Sequence, residues 1–237
     1  MFLKHKRLIK TFLPKHVAII MDGNRRWAKK KSLERKIGHY EGAKNLKKII
    51  TECIKLEIPY LTVYAFSTEN WHRNNKEIDE LVSLLNDFLN REISEIIDHK
   101  IKINILGQMD KFPKEIQQKL KNIISRTKNF NKLHCNIALN YGSREEIIYA
   151  VNNLLKNKTS TAQLTIEDLT QYLYTKNIPD PDLMIRTSGE YRLSNFLLWQ
   201  SAYSELYFSK KLWPEFTIKE FHKSLIDYSK RKRRFGR

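Results

Sequence analysis

Hydrophobic residues along this chain alternate between two spacings. Short, nearly continuous apolar runs occur at Val17–Met21, Tyr60–Phe66 (YLTVYAF), Ile101–Leu106 (IKINIL), Leu133–Asn140 (LHCNIALN), Leu183–Ile185 and Glu205–Phe208 (ELYF), the pattern of buried strands. Between them the apolar positions fall at helical spacing. This predicts helices over Arg25–Lys31, Gly38–Leu56, Ile78 to about His99, Pro113 to about Phe130, Arg144–Leu155 with Ser143 as N-cap, Ile166–Tyr174, Asn195–Tyr203 and Thr217–Ser229. Strand and helix alternating along the chain imply an α/β fold: a single domain with a central, largely parallel six-stranded sheet flanked by helices. No internal repeat or low-complexity segment interrupts it, and the polar stretch Lys156–Ala162 is too short to link independent domains. The domain is expected over residues 14–237, behind a basic N-terminal arm at 1–13.

The polar clusters fall in a telling place. Asp22-Gly23-Asn24, Ser67-Thr68-Glu69-Asn70, Asn140-Tyr141-Gly142 and Arg186-Thr187-Ser188-Gly189 each follow the end of a predicted strand. In open α/β sheets that edge binds ligands. The first cluster is the most specific. A buried strand ending on Asp22 and turning through Gly23 and Asn24 into Arg25 and Arg26 places a carboxylate beside backbone N–H groups and two guanidiniums. The acid suits a cation and the arginines suit an anion, a pairing that fits a metal-bound polyphosphate. An ordinary strand–turn–helix with a solvated arginine pair has the same sequence pattern. Similarly, the broad Leu/Ile stripe of the third predicted helix (Ile78, Leu81, Val82, Leu85, Leu89, Ile93, Ile96, Ile97) reads either as core packing or as one wall of a greasy channel.

Composition narrows the partners. The 237 residues are 41% hydrophobic and 30% charged, enough for a folded core, and the net charge of +18 points to an anionic partner or to a lysine-rich solvated surface. Cys53 and Cys135 both lie in apolar segments, which fits buried thiols in a reducing compartment rather than a disulfide or zinc site. The N-terminal MFLKHKRLIKTFLPK has no continuous apolar region and no cleavage site, and no segment approaches the roughly 20 apolar residues of a membrane span. A cytoplasmic protein is expected, and its basic ends read either as frayed, solvated charge runs or as contacts for an anionic membrane surface.

The blocks HVAIIMDGNRRWAK, GHYEGA, YAFSTENWHR, NYGSREEI and RTSGEYRLSNFLLWQSAYSELYF, in that order, resemble the signature blocks of cis-prenyltransferases, and most closely the bacterial undecaprenyl diphosphate synthases. The likeness runs from about residue 14 to the RRFGR terminus. It implies a sheet-centred α/β fold with a hydrophobic tunnel, Mg²⁺ as cofactor, a homodimer, and repeated addition of isopentenyl diphosphate to farnesyl diphosphate. The product implied is a long-chain polyprenyl diphosphate, the undecaprenyl carrier lipid of cell-wall synthesis. The resemblance also assigns residues. Asp22 becomes the essential carboxylate that organises Mg²⁺ and the leaving diphosphate. Gly23, Asn24, Arg25, Arg26 and Trp27, with Arg35 and His39, become the allylic site. Ser67, Thr68 and Glu69 form a substrate-contact loop, Asn70 matches the assigned proton acceptor, and Trp71 and Arg73 flank the reacting groups. Arg186, Arg192, Leu193 and Ser194 match the isopentenyl diphosphate pocket, and Glu205 matches a second Mg²⁺-linked carboxylate, in some members contributed across the dimer. The C-terminal Arg234-Phe235-Gly236 matches a segment that reaches a neighbouring subunit.

Two positions depart from many bacterial members: Arg25 stands where they carry glycine, and Thr68 where they carry serine. A neutral amide is a poor base, so the chemistry favours Asn70 as an orienting group, with diphosphate oxygen or water taking the proton. His72, Trp199 and Trp213 read as packing or surface residues. A catalytically silent partner subunit need not keep the arginines and carboxylates present here. A nucleic-acid-binding protein is suggested by charge alone, without a recognition motif.

Overall fold

A computed structural model describes residues 12–157 and 163–233. All but the last two residues of the basic arm, most of the Lys156–Ala162 stretch and Arg234-Phe235-Gly236 lie outside the described residues. The strands are β1 (His16–Ile20), β2 (Tyr60–Ser67), β3 (Ile101–Leu106), β4 (Leu133–Tyr141), β5 (Leu183–Arg186) and β6 (Glu205–Phe208). They form one six-stranded sheet in the order β3-β4-β2-β1-β5-β6, and every pairing is parallel. The helices are α1 (Asn24–Lys30), α2 (Arg35–Lys55), α3 (Asn75–Asp98), α4 (Lys114–Thr127), α5 (Ser143–Asn157), α6 (Ile166–Thr170) and α7 (Ile218–Lys230), with 3₁₀ turns at Thr68–His72 and Trp213–Glu215.

Because side chains alternate across a strand, each strand feeds both faces of the sheet. Val17, Ile19, Leu61, Val63, Cys135, Leu183 and Ile185 join the larger core, together with Ile49 and Cys53 of α2, Leu120 and Ile123 of α4 and Phe221 and Leu225 of α7. Ala18, Ile20, Ala138 and Met184 face a smaller core closed by Tyr141, Phe196 and Leu197. Both cysteines are buried and unpaired. Four strands are also joined by a buried polar chain. His16 Nδ1 lies 2.6 Å from the Pro179 carbonyl, an acceptor only, so Nδ1 carries the proton and Nε2 accepts from the Thr62 hydroxyl at 2.7 Å. Thr62 Oγ1 in turn accepts from Asn136 Nδ2 at 2.9 Å, and Asn136 Oδ1 accepts from Asn104 Nδ2 at 2.8 Å.

Three expectations are corrected. Asn195–Tyr203 is a run of turns, not a helix. Ser194, Asn195 and Leu197 have φ of 48°, 62° and 47°, in the left-handed region that a right-handed helix cannot accommodate. Distant partners hold this path. Asn195 Oδ1 accepts the Arg144 N–H at 2.9 Å, Ser143 Oγ accepts the Leu198 N–H at 3.0 Å, and Phe196 is buried against Tyr64 with ring centroids 4.5 Å apart. Ser143 is therefore the first residue of α5, and its hydroxyl serves the Leu198 segment instead of capping its own helix. The helix expected over Ile166–Tyr174 ends at Thr170, and the Tyr174 N–H beyond it is taken by Glu146 Oε1 at 2.8 Å. The third helix begins earlier than its apolar stripe: α3 starts at Asn75 because Asn74 Oδ1 caps it, accepting the Glu77 N–H at 2.9 Å.

Candidate active site at the carboxyl edge of the sheet

The site starts from the turn between β1 and α1. Gly23 has φ +115°, and a Cβ there would meet Leu212 at 3.0 Å, so the turn admits only glycine comfortably. The Asp22 carbonyl is clamped by the Trp213 N–H at 3.0 Å and the Thr187 hydroxyl at 2.6 Å. Trp213, a packing residue as read from the sequence, is buried and donates its indole N–H to the Gly42 carbonyl at 2.8 Å. Gly38 lets α2 lie against α1, since a Cβ there would be 2.3 Å from the Asn24 carbonyl.

So fixed, the Asp22 carboxylate sits between two guanidiniums, with Arg186 Nη2 at 2.9 Å and Arg26 Nη2 at 3.0 Å. Burial pushes its acidity toward the neutral form, but hydrogen bonds from Arg186, Ser188 and Arg26 outweigh it and hold the carboxyl below its usual range. Arg186 is only 4% exposed, and its Nη1 donates to the Arg192 carbonyl at 2.6 Å and to Ser194 Oγ at 2.7 Å. One buried arginine thus ties the Asp22 turn to the 192–194 loop. Arg26 continues the ring to Glu190 Oε1 at 2.8 Å, and Glu190 also holds Arg192.

Across the cavity Arg25, Arg35 and Arg73 converge on Glu77, at 3.5, 3.0 and 2.7 Å. His39 lies beside them. Burial, and then the charge of Arg73, lower its pKa to about 4, so the ring is neutral at pH 7. Its Nδ1 is 3.5 Å from Asn24 Nδ2, while His39 Nε2 and Asn24 Oδ1 are buried with no hydrogen-bond partner among the described residues. A cavity of about 840 Å³ is lined by Met21–Arg26, Arg35, His39 and Arg73. A second, of about 290 Å³, shares Asp22, Asn24, His39 and Arg73 with it and adds Ser67, Asn70, Arg186 and Ser194.

The substrate-contact loop expected at 67–69 is the start of the first 3₁₀ turn. Asn70 Oδ1 accepts the Ser67 N–H at 3.1 Å, which engages the amide oxygen and fixes the side chain's orientation. Thr68 Oγ1 donates to Glu69 Oε2 at 3.3 Å, and Asn195 Nδ2 bridges Glu69 and Glu145 at 3.2 and 2.9 Å. Trp71 packs on Phe66 and Phe112 and donates to Asn140 Oδ1 at 2.8 Å. Trp27 is half-buried with Lys31 Nζ 5.1 Å from its ring centroid, and Leu193 packs on the smaller core. Glu205 stands apart. It begins β6 opposite Leu183, three residues before the Arg186–Phe208 pair, and so lies roughly 10 Å below the site along the strands, ion-paired to Arg231 at 2.8 Å.

Among the described residues no group of three or more His, Cys, Asp or Glu could hold a metal ion. The ionised Asp22 carboxylate at the turn, with only Glu34 as a further acidic residue lining the arginine-rich cavity, does not make a closed protein cage. It fits a Mg²⁺ ion that takes most of its ligands from substrate phosphates and water.

Sequence reasoning missed Glu77, Glu190, Asn195 and the backbone clamp from Trp213. The spacing Arg73–Glu77, four residues apart across the capping Asn74, was a readable signal for the first of these.

The family model described as putative undecaprenyl diphosphate synthase matches residues 20–236. An isoprenyl transferase of Fusobacterium nucleatum is 49% identical over 224 residues, covering 94% of this chain and 96% of that protein. An isoprenyl transferase of Thermotoga maritima is 49% identical over 226 residues, covering 94% and 97%. Among solved structures, lavandulyl diphosphate synthase from Lavandula x intermedia, in complex with dimethylallyl diphosphate, superimposes with a TM-score of 0.90 at 34% identity over 95% of this chain and 99% of that one. A probable undecaprenyl diphosphate synthase from Campylobacter jejuni gives 0.81 at 34% identity over 94% and 99%. A match this long, which takes in the Asp22 turn and the arginines around it, places the chain in the undecaprenyl diphosphate synthase family of isoprenyl transferases.

Proposed function

We propose that the protein is a Mg²⁺-dependent cis-prenyltransferase that adds isopentenyl diphosphate repeatedly to farnesyl diphosphate, making a long-chain polyprenyl diphosphate, undecaprenyl diphosphate, as carrier lipid for cell-wall synthesis. The observation that carries this reading is the placement of Asp22 between two sets of arginines. Arg25, Arg26, Arg35 and Arg73 surround one part of the cavity, and Arg186 with the 192–194 loop surrounds the other. Two diphosphates side by side repel strongly, and bidentate guanidiniums offset that repulsion better than lysines would. The solved relative bound to dimethylallyl diphosphate supports an allylic diphosphate as one occupant.

In this reading the allylic diphosphate lies with its phosphates against Arg25, Arg26, Arg35, Arg73 and the neutral His39. Isopentenyl diphosphate lies against Arg186, Arg192 and Ser194. Asp22, together with the substrate phosphates, would hold Mg²⁺, and the ion would supply charge stabilisation for the departing diphosphate. As the allylic C–O bond breaks, the arginines receive the negative charge, and the isopentenyl double bond forms the new C–C bond. A proton then leaves the adjacent carbon for diphosphate oxygen or water, while Asn70 orients the substrate. The lengthening chain must leave water, at about 0.8 kcal/mol per buried CH₂. Leu81, Val82, Leu85, Phe88 and Ile93 of α3 are only partly buried against the core, as a tunnel wall would be.

Glu205 reaches a site only if a second copy supplies it, so it belongs to the proposed homodimer. Exposed Ile148, Leu155, Leu198 and Tyr203 are available to such an interface. No helix among the described residues is long and apolar enough to cross a membrane. A cytoplasmic enzyme touching the inner membrane face during product release fits the lipid product and the +18 charge. Incubation with labelled isopentenyl diphosphate, farnesyl diphosphate and Mg²⁺, followed by sizing of the lipid, tests the reading. A ladder ending at a long polyprenyl product is expected, and no incorporation refutes it in favour of a silent partner subunit.

A further inference from the structure

Glu77 has no part in the chemistry just described and sits behind the wall of the cavity, with only 4% of its side chain exposed. A buried carboxylate is costly unless paired, and this one has three partners drawn from three places in the fold. Arg25 lies on α1 and meets Oε1 at 3.5 Å. Arg73 follows the 3₁₀ turn and meets the same oxygen at 2.7 Å. Arg35, the first residue of α2, meets Oε2 at 3.0 Å. Each reaches Glu77 through Nη1, and all three line the 840 Å³ cavity. Glu77 is itself anchored, since its N–H is capped by Asn74 in the first turn of α3.

We infer that Glu77 is a positioning residue that gathers Arg25, Arg35 and Arg73 into one preformed clamp for the allylic diphosphate. This rests on the reading of the cavity as a diphosphate site. The three guanidiniums belong to long side chains, and the Arg25 and Arg35 side chains are 52% and 45% exposed. Without a shared counter-charge they repel one another and spread over many rotamers, and an incoming diphosphate must order them itself. With Glu77 in place three positive charges face one negative, leaving a net +2 already arranged for a polyanion. The clamp also gives Arg25 a role: it is tied into the site and is not merely a solvated side chain.

A second effect has the opposite sign. Removing the Glu77 charge makes the cavity more positive, and on that ground alone it would tighten anion binding. The direction of the change therefore decides between the two. The test titrates the full-length protein with farnesyl thiodiphosphate, an allylic analogue whose C–S bond resists cleavage. It also measures the KM for isopentenyl diphosphate at saturating farnesyl diphosphate, in the wild type, Glu77→Gln and Glu77→Asp. Glu77→Gln is expected to weaken the analogue by about tenfold or more, as loss of an orienting carboxylate does behind metal ligands, with the isopentenyl KM unchanged. Glu77→Asp keeps the charge but is one methylene short, so it should recover part of the affinity. If Glu77→Gln does not fold, the same split in Glu77→Asp carries the test. Analogue binding that is unchanged or tighter, or an equal loss for both ligands, overturns the inference. A wild type that does not bind the analogue overturns instead the reading of the site on which the inference rests.

Discussion

Arg186→Lys removes one guanidinium and should disable half of the site. The wild-type side chain makes three hydrogen bonds in different directions: to Asp22 Oδ2 at 2.9 Å, to the Arg192 carbonyl at 2.6 Å and to Ser194 Oγ at 2.7 Å. An ammonium is a single centre and cannot span the Asp22 side and the 192–194 loop together, so about two of the three are lost. Hydrogen bonds to a charged group contribute about 1.5–3 kcal/mol each. The cavity is open, and water will replace part of that, which puts the net loss near the lower end, about 3 kcal/mol. At 1.36 kcal/mol per decade this is roughly a hundredfold in kcat/KM. The assay varies isopentenyl diphosphate at saturating farnesyl diphosphate, with thermal unfolding as a control for the fold. The loss should fall on kcat/KM for isopentenyl diphosphate, with the allylic KM less affected because Arg25, Arg35 and Arg73 are untouched. A kcat/KM within about fivefold of wild type, in a variant that melts normally, would mean that Arg186 does not organise the isopentenyl site.

Three further predictions follow from other parts of the fold. Burial lowers the His16 pKa from 6.5 to about 4, so between these values the unfolded chain binds more protons than the native one. Stability is therefore full above pH 6.5 and falls as the pH drops toward 4, by about 3 kcal/mol for this group; His16→Gln should flatten that slope in melts across the range, and an unaltered slope would remove His16 as its source. Val82→Trp places an indole on the partly buried face of α3 and should shorten the product ladder on thin-layer separation, whereas an unchanged ladder takes that face out of the tunnel. Asn70→Asp and Asn70→Ala should both lose kcat, with no gain from the aspartate, because the residue orients and does not abstract; higher activity in the aspartate variant would restore a base at this position.

The sheet and the Asp22 turn were legible because local signals agreed with the tertiary outcome. Apolar runs became parallel strands, fully buried in β1 and β5, and the Asp-Gly-Asn at the end of the first run became the tight turn its composition suggested. The 195–203 segment was misread because Asn-Phe-Leu-Leu-Trp has helical spacing, while its path is set by Arg144, Ser143 and Tyr64, more than a helix length away in sequence. Glu77 escaped notice for a related reason. Its burial follows from Arg35, 42 residues away, and from Arg25, and neither contact leaves a periodic trace. Glu205 is assigned to the site only by the resemblance, and within one chain it lies away from the edge where the other candidate residues gather.

The buried chain from His16 through Thr62 and Asn136 to Asn104 bears on how the strands find their alignment. Apolar parallel strands that alternate Val, Ile and Leu look nearly the same to each other after a slide of two residues, because the same face stays inward. Burial alone discriminates poorly between those arrangements. The polar chain discriminates well, because its donors and acceptors run in one direction across β1, β2, β4 and β3 and meet in one alignment only. A slide of any member leaves buried amide or hydroxyl groups without partners, at about 1–3 kcal/mol each. Since β1 and β2 carry Asp22 and Ser67 at their far ends, the same alignment fixes how far each active-site loop projects past the sheet. A hydrogen-bonded chain deep in the scaffold thus sets the relative height of the residues that line the candidate site.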